Sequence, residues 1–265
     1  MVRGLRPLIG RTVARSRLSH DDILYRTTRR RLLAGLRGVT LTGVSRRAKH
    51  AVVTTSRGTR LVVQPGMTGS LYLRRGPLSE DDNRYGVLRC TLDDGRSLVY
   101  HDVRRIGSIR LMDPSEFAVW EAALGPEPLA PGFSARDLAR SVGRTRQAIK
   151  KALMDQRLLA GVGNIYANEA LFLAGIDPSK PADQVPEHAW LPLHRAIRTI
   201  LRAAILAEGS TIRDYRTGDG NLGGFQKAFT VYGREGEPCV ECGTSLTATH
   251  LIDARVTVFC HRCQQ

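Results

Sequence analysis

No apolar run in this 265-residue chain approaches the roughly 20 residues that a bilayer-spanning helix needs. A transmembrane helix is therefore excluded, and the N-terminus has no apolar core of a secretory signal. Internal repeats and low-complexity tracts are missing as well. Cysteine is scarce, five residues in all, and four of them fall in two pairs. Acidic residues are in deficit: 25 Asp and Glu face 40 Lys and Arg, a formal charge of +15 with a pI near 10.4. Most of the basic residues are Arg, whose planar fork suits phosphate. Such an excess implies a polyanionic partner, nucleic acid first of all. The bland alternative is a protein that is simply basic throughout. Hydrophobic content of 42% permits a sizeable core, and the length suits roughly two domains.

The paired cysteines read Cys239-Val240-Glu241-Cys242 and, seventeen residues on, Cys260-His261-Arg262-Cys263. Each pair closes a knuckle that aims two thiolates at one point, and two knuckles complete a closed tetrahedral shell for one structural Zn2+. Disulfides or unconnected thiols are the competing readings. Thiols kept for a metal suit a reducing compartment, so a cytoplasmic protein is expected. Thr244 to Phe259 suits a β-hairpin, and a metal-clamped hairpin with basic tips is a nucleic-acid probe. Cys90 stands in an alternating apolar run and reads as a core thiol.

Along the chain, residues 1 to 8 read as the end of an amphipathic helix stopped by Gly10, followed by a strand over Arg11–Arg17 and a basic helix over Arg26–Leu36. Short strands follow: Val39–Val44, Ala51–Thr55, Arg60–Val63, Ser70–Leu73, Tyr85–Leu92, Ser97–His101 and Ile106–Leu111. Their spacing indicates a sandwich or barrel. Leu124 to Gly132 is a Pro- and Gly-rich connector. Beyond it helices are expected over Ser134–Ser141, with Ser134 as N-cap, then Arg144–Asp155, Ile165–Ala174, Glu187–Glu208 and Ile212–Tyr215. Gly218 to Gly224 reads as a flexible loop.

Four segments could carry recognition chemistry. Gly161-Val162-Gly163-Asn164 opens a helix whose amides can face a phosphate, although a plain turn explains it equally well. Arg46-Arg47-Ala48-Lys49 is either a solvated charge run or a phosphate contact. Gly66-Met67-Thr68-Gly69 carries a lone Met that is either core or a wedge between bases. At the end of a strand, Asp102-Val103-Arg104-Arg105-Ile106-Gly107 sends adjacent arginines to opposite faces, so that one can pair with Asp102 while the other projects.

Together with Leu124-Gly125-Pro126-Glu127-Pro128-Leu129, Ile149-Lys150-Lys151-Ala152-Leu153-Met154-Asp155, Ile165-Tyr166-Ala167, Val231-Tyr232-Gly233-Arg234, Gly236-Glu237-Pro238 and the four-cysteine finger, these segments give a chain that resembles the formamidopyrimidine-DNA glycosylase / endonuclease VIII family, nearest its formamidopyrimidine branch. The resemblance covers essentially the whole chain. It implies an α+β protein: a β-sandwich domain over 1–125, a helix–two-turn–helix domain over 126–225 and a zinc finger over 226–265, acting as a monomer on double-stranded damaged DNA held in a cleft. It implies base-excision repair, in which an oxidised purine is flipped out, its glycosidic bond cut and the strand nicked by β,δ-elimination.

Carried over residue by residue, Met67, Arg104 and Ile106 fill the space left by the flipped nucleotide, and Arg104 reads the opposite base. Lys49, Lys150, Asn164 and Arg255 contact phosphate. Gly218 to Gly224 covers the flipped base. The family has Phe at the Ile106 position and Pro at the Val103 position, so kinking or opposite-base preference is open to change. The gap inside the finger is one residue longer than the family's.

The family opens on a proline whose secondary amine attacks C1′, with a proton-handling glutamate beside it. Here the match begins immediately after that opening, at Val2-Arg3-Gly4, and no catalytic residue is assigned. A natural start further upstream is the expectation. The alternative is a non-catalytic damaged-DNA-binding protein of the same fold, or one using another amine, with Lys49 the nearest. An RNA-binding zinc-ribbon protein is a third, more distant reading.

Overall fold

The computed structural model describes residues 1–210 and 223–265. The chain divides at Glu121/Ala122. One compact unit begins with Met1–Glu121; the other comprises Ala122–Ala207 and Phe225–Gln265.

The first unit is a sandwich of two antiparallel four-stranded sheets. One has the order β1-β6-β7-β5, from β1 (Val13–Leu18), β5 (Gly69–Arg74), β6 (Gly86–Leu92) and β7 (Ser97–Asp102). The other has the order β2-β3-β4-β8, from β2 (Leu41–Arg47), β3 (His50–Thr55), β4 (Arg60–Gln64) and β8 (Ser108–Met112). Alternation aims Leu71, Leu88, Cys90 and Tyr100 of one sheet at Val53, Leu61, Val63 and Ile109 of the other, all buried. Cys90 is the core thiol its surroundings suggested, and burial pushes its pKa up to about 12. Val52 and Val62, on the opposite face of β3 and β4, are buried too, because Phe117 and Trp120 of α3 (Pro114–Ala122) cover them. That second cover explains why these strands read as unbroken apolar runs rather than alternating ones.

The strand expectations hold to within three residues at each end. The opening residues form a 3-10 helix, Arg3–Leu8, with Leu5 and Leu8 fully buried. The basic helix is α1 (Arg29–Leu36), shortened because Thr28 caps it by accepting from the Arg31 amide. Two helices escaped the sequence reading. One is α3. The other is α2 (Glu80–Tyr85), whose Ser79/Asp82 capping box was legible in principle, though its polar residues carry no apolar stripe.

In the second unit, α4 (Ala135–Val142) begins as expected on the Ser134/Asp137 capping box. The next helix is a correction. Residues 144–148 are not helical, and only α5 (Ile149–Met154) forms. The backbone of that stretch pairs elsewhere: the Ala182 amide donates to Gln147 O at 2.9 Å, the Asp183 amide to Thr145 O at 3.1 Å, and the Ile149 amide to Lys180 O at 2.7 Å. Tertiary pairing takes the groups a longer helix would have used. Then come α6 (Asn164–Leu173) and α7 (Trp190–Leu206), the latter preceded by a 3-10 turn over Glu187–Ala189. The finger hairpin is β9 (Thr247–Thr249) paired with β10 (Thr257–Phe259). The expected helix over Ile212–Tyr215 and most of the Gly218–Gly224 loop lie outside the described residues.

Among the described residues no helix is long and apolar enough to cross a membrane.

Candidate nucleic-acid interface

In the first unit, two loops are tied together by one buried carboxylate. Asp102, 1% exposed at the end of β7, accepts from the Thr68 hydroxyl, from the Tyr100 hydroxyl at 3.1 Å and from the Gly107 amide at 3.0 Å. The Thr68 hydroxyl oxygen in turn accepts from the Arg104 amide at 3.2 Å. Burial, aided by the Asp102 charge, raises the Tyr100 pKa far above its ordinary range, so it remains a donor. Space around Tyr100 explains the glycines. A Cβ on Gly107 would collide with the Tyr100 hydroxyl and the Gln64 carbonyl, and one on Gly69 with the Pro65 carbonyl.

This geometry corrects the expectation that one arginine pairs with Asp102. Neither does: the carboxylate's oxygens are taken by loop groups, and Arg105 bonds Asp22 at 2.8 Å instead. Arg104 is left exposed, with no ion pair to a described residue. Held on this frame, Met67 is 63% exposed and Ile106 47%. Exposed apolar side chains on loops locked from beneath are what a wedge requires. The core reading of Met67 does not survive.

Lys49 lies half-buried in the two-residue turn between β2 and β3, where Arg47 pairs with His50. Ala48 adopts φ +50°, a left-handed conformation that costs a non-glycine residue about 1 kcal/mol or more. The surroundings hold it there. Arg46 donates to the Ala48 carbonyl at 2.8 Å, and the His50 ring packs edge-on against Trp120 at 5.0 Å. Burial first, then the Arg110 charge, lowers the His50 pKa to about 4, so it packs as a neutral ring.

In the second unit, three residues singled out from the sequence converge on one stretch of the finger. Asn164, at the start of α6, donates through Nδ2 to Val256 O at 3.0 Å. Lys150 donates to the same carbonyl at 3.2 Å, to Thr257 Oγ1 at 2.7 Å and to Asp253 Oδ1 at 3.4 Å. Arg255, exposed, has its guanidinium beside Met154 Sδ at 3.8 Å. For Lys150 the phosphate expectation needs correcting. Its side chain is fully buried and its protons are spent inside the protein, so it pins the finger to α5 and offers nothing to a phosphate. Burial lowers its pKa, and Asp253 counters that shift.

Two neighbours on α6 were missed. Asn168 accepts from the Val258 amide at 2.7 Å. Glu169, fully buried, accepts from the amides of Thr230 (2.9 Å), Val231 (3.1 Å) and Tyr232 (2.8 Å), and from the Thr230 hydroxyl. The signal was present: Asn-Glu interrupts the apolar run of a helix whose flanks are Ala167 and Ala170–Phe172.

The Sγ atoms of Cys239, Cys242, Cys260 and Cys263 all lie within 4.8 Å of one another. Cys239–Cys263 measures 3.9 Å and Cys242–Cys260 3.5 Å, far beyond a disulfide bond. Four thiolates at 2.3 Å from a tetrahedral metal stand about 3.8 Å apart, so the cluster fits a metal ion.

Known proteins agree with this arrangement. Residues 1–109 match the family model for the formamidopyrimidine-DNA glycosylase N-terminal domain, and residues 124–216 the model for its H2TH domain. The chain belongs to the formamidopyrimidine-DNA glycosylase family. Among its relatives, the enzyme so named from Novosphingobium aromaticivorans is 41% identical over 267 residues, covering all of this chain and 96% of that one. The one from Acidithiobacillus ferrooxidans is 39% identical over 268 residues, covering all of this chain and 94% of its own length. Of solved structures, a mutant Lactococcus lactis Fpg in complex with a Fapy-dG-containing DNA superposes with a TM-score of 0.89 at 30% identity, over all of this chain and 96% of the other. The Thermus thermophilus MutM (Fpg) protein gives 0.85 at 36% identity, over 99% and 95%. The family's two domain models fall on the two places where the geometry gathers candidate residues: the loops tied by Asp102 in the first, α5 and α6 in the second.

Proposed function

We propose that this protein is a base-excision-repair glycosylase that removes oxidised purines from double-stranded DNA and cuts the strand by β,δ-elimination. The observation that carries the reading is the Asp102-centred frame, which presents Met67 and Ile106 to solvent within a chain of this family. Removing a base from a duplex requires taking it out of the stack, and the hole left behind must be filled. Met67 and Ile106 are the fillers, and Arg104, with no competing ion pair to a described residue, reads the opposite base. Asn164 and Arg255 hold backbone phosphate, and Lys49 adds a contact from its turn. The four cysteines hold one Zn2+, which supplies a rigid closed shell and no chemistry. On this reading residues 126–225 act as the helix–two-turn–helix domain and 226–265 as the finger, in a monomer.

The test uses a duplex with a single formamidopyrimidine or 8-oxoguanine. Base release and a nicked product are expected, and borohydride reduction tests whether an amine of this chain other than the family's proline, with Lys49 the nearest, forms the covalent adduct. Tight lesion-specific binding without base release would overturn the enzymatic reading in favour of a damage-binding protein. Base release without an adduct or nick would remove only the lyase step.

A further inference from the structure

Asp253 is an acid on the tip of a finger that is read here as a DNA contact. On electrostatic grounds alone it is a liability, since a carboxylate beside phosphate repels it. The finger can ill spare charge. Residues 226–265 hold four Lys and Arg against four Asp and Glu, a formal sum of zero. Four thiolates around a divalent ion would subtract a further two.

The geometry gives Asp253 an internal task. Its Oδ1 accepts from the Arg255 amide at 2.8 Å and from Lys150 Nζ at 3.4 Å. The carboxylate is mostly buried, at 13% exposure, and its Oδ2 has no hydrogen-bond partner. It therefore joins the buried Lys150 ammonium to the backbone that carries the exposed Arg255. Without it, the buried Lys150 ammonium would lose its counter-charge and the turn that carries Arg255 would lose its cap.

We infer that Asp253 is a positioning residue for Arg255: through the Arg255 amide and the Lys150 ammonium it fixes the backbone from which the finger's guanidinium reaches an anion. This rests on the reading of Arg255 as a phosphate contact. It adds that an acidic side chain raises, rather than lowers, the protein's affinity for DNA.

The sign of the effect is the test. Binding of the full-length, zinc-loaded protein to a duplex with a tetrahydrofuran abasic-site analogue is titrated at several salt concentrations. The proteins are wild type, Arg255→Ala, Asp253→Ala, Asp253→Asn and the Arg255→Ala/Asp253→Ala double variant. Arg255→Ala is expected to weaken binding about tenfold and reduce the salt slope by about one. Asp253→Ala should do nearly the same, the double variant no more than Arg255→Ala alone, and Asp253→Asn, which keeps an oxygen at the Arg255 amide, should recover most of the loss.

Tighter or unchanged binding by Asp253→Ala, with Arg255→Ala weakened, overturns the inference and leaves the phosphate reading standing. So does a loss that adds to that of Arg255→Ala or leaves the salt slope untouched, since that marks a merely structural residue. No effect of Arg255→Ala overturns both. Zinc content serves as the folding control. If the alanine variant loses metal, Asp253→Gln is read in its place, because its oxygen lies one methylene beyond the Arg255 amide.

Discussion

The β-sandwich and the finger handle charge in opposite ways. Residues 1–121 carry 23 Lys and Arg against 11 Asp and Glu, an excess of 12 out of the chain's +15, while residues 226–265 carry none. In the sandwich the arginines are spread: Arg15, Arg17, Arg30 and Arg75 are all exposed, on β1, in α1 and beyond β5. In the finger the contacts from Lys150 and Asn164 are internal to the protein, and on the proposed reading recognition rests on the exposed Arg255. A diffuse field raises encounter rates and non-specific affinity but tolerates the loss of any one member. A site built from few groups does not. The finger is therefore where single substitutions should matter most, although net charge alone would have pointed to the sandwich.

The largest expected effect follows from removing a thiolate. Cys242→Ser should abolish metal uptake and unfold the finger, because metal-binding energy in such modules, about 10–16 kcal/mol, is folding energy. Zinc content and near-UV circular dichroism check it, with the sandwich expected to keep its own cooperative transition. Loss of both transitions together would break the contrast.

Next is Glu169→Ala. It strands three amides that now share one buried carboxylate, and should cost about 3 kcal/mol of the second unit's stability in urea unfolding.

The sandwich offers a smaller, pH-dependent counterpart in His50. Its folded pKa of about 4 lies below the ordinary 6.5, so the unfolded chain takes up the proton first as pH falls. The site's contribution is then complete above pH 6.5 and is lost as pH falls toward 4, by on the order of 3 kcal/mol at the bottom of that range. His50→Phe, which keeps the packing against Trp120, should flatten the difference between unfolding curves at pH 7 and pH 5. An unchanged slope would mean that His50 is not held neutral.

How much of this was legible depends on range. The strands of the sandwich are local patterns, and the alternation around Cys90 displayed one of them. The four cysteines are likewise a spacing signal. Partners set by tertiary packing were not legible. Asp102 stands beside two arginines in sequence, yet it bonds Thr68, Tyr100 and Gly107, because a strand end delivers its side chain inward between loops. Lys150 reads as one of two adjacent basic residues; only the fold decides that it turns in to Thr257 and Asp253. Residues 144–148 look helical until Lys180–Asp183 claims their backbone. Residue types at a site were readable, whereas which of two neighbouring cations meets solvent was not.

The smallest predicted effect decides whether the contrast is real. Arg17 is exposed on β1 and lies directly across from Arg89 of β6. Like charges opposed across a ladder repel, so Arg17→Ala should stabilise the sandwich by a few tenths of a kcal/mol. DNA affinity should fall by less than about twofold, since one exposed charge among many adds little to a field that salt screens. Fluorescence anisotropy on the same duplex, with Arg17→Ala and Arg255→Ala measured at equal ionic strength, compares the two directly. Both remove one positive charge from the same protein, so net charge predicts equal losses. A loss confined to Arg255→Ala would show that position outweighs the field. Equal losses would mean that the finger's arginine is one contributor among many, and that the protein's +15 is what binds.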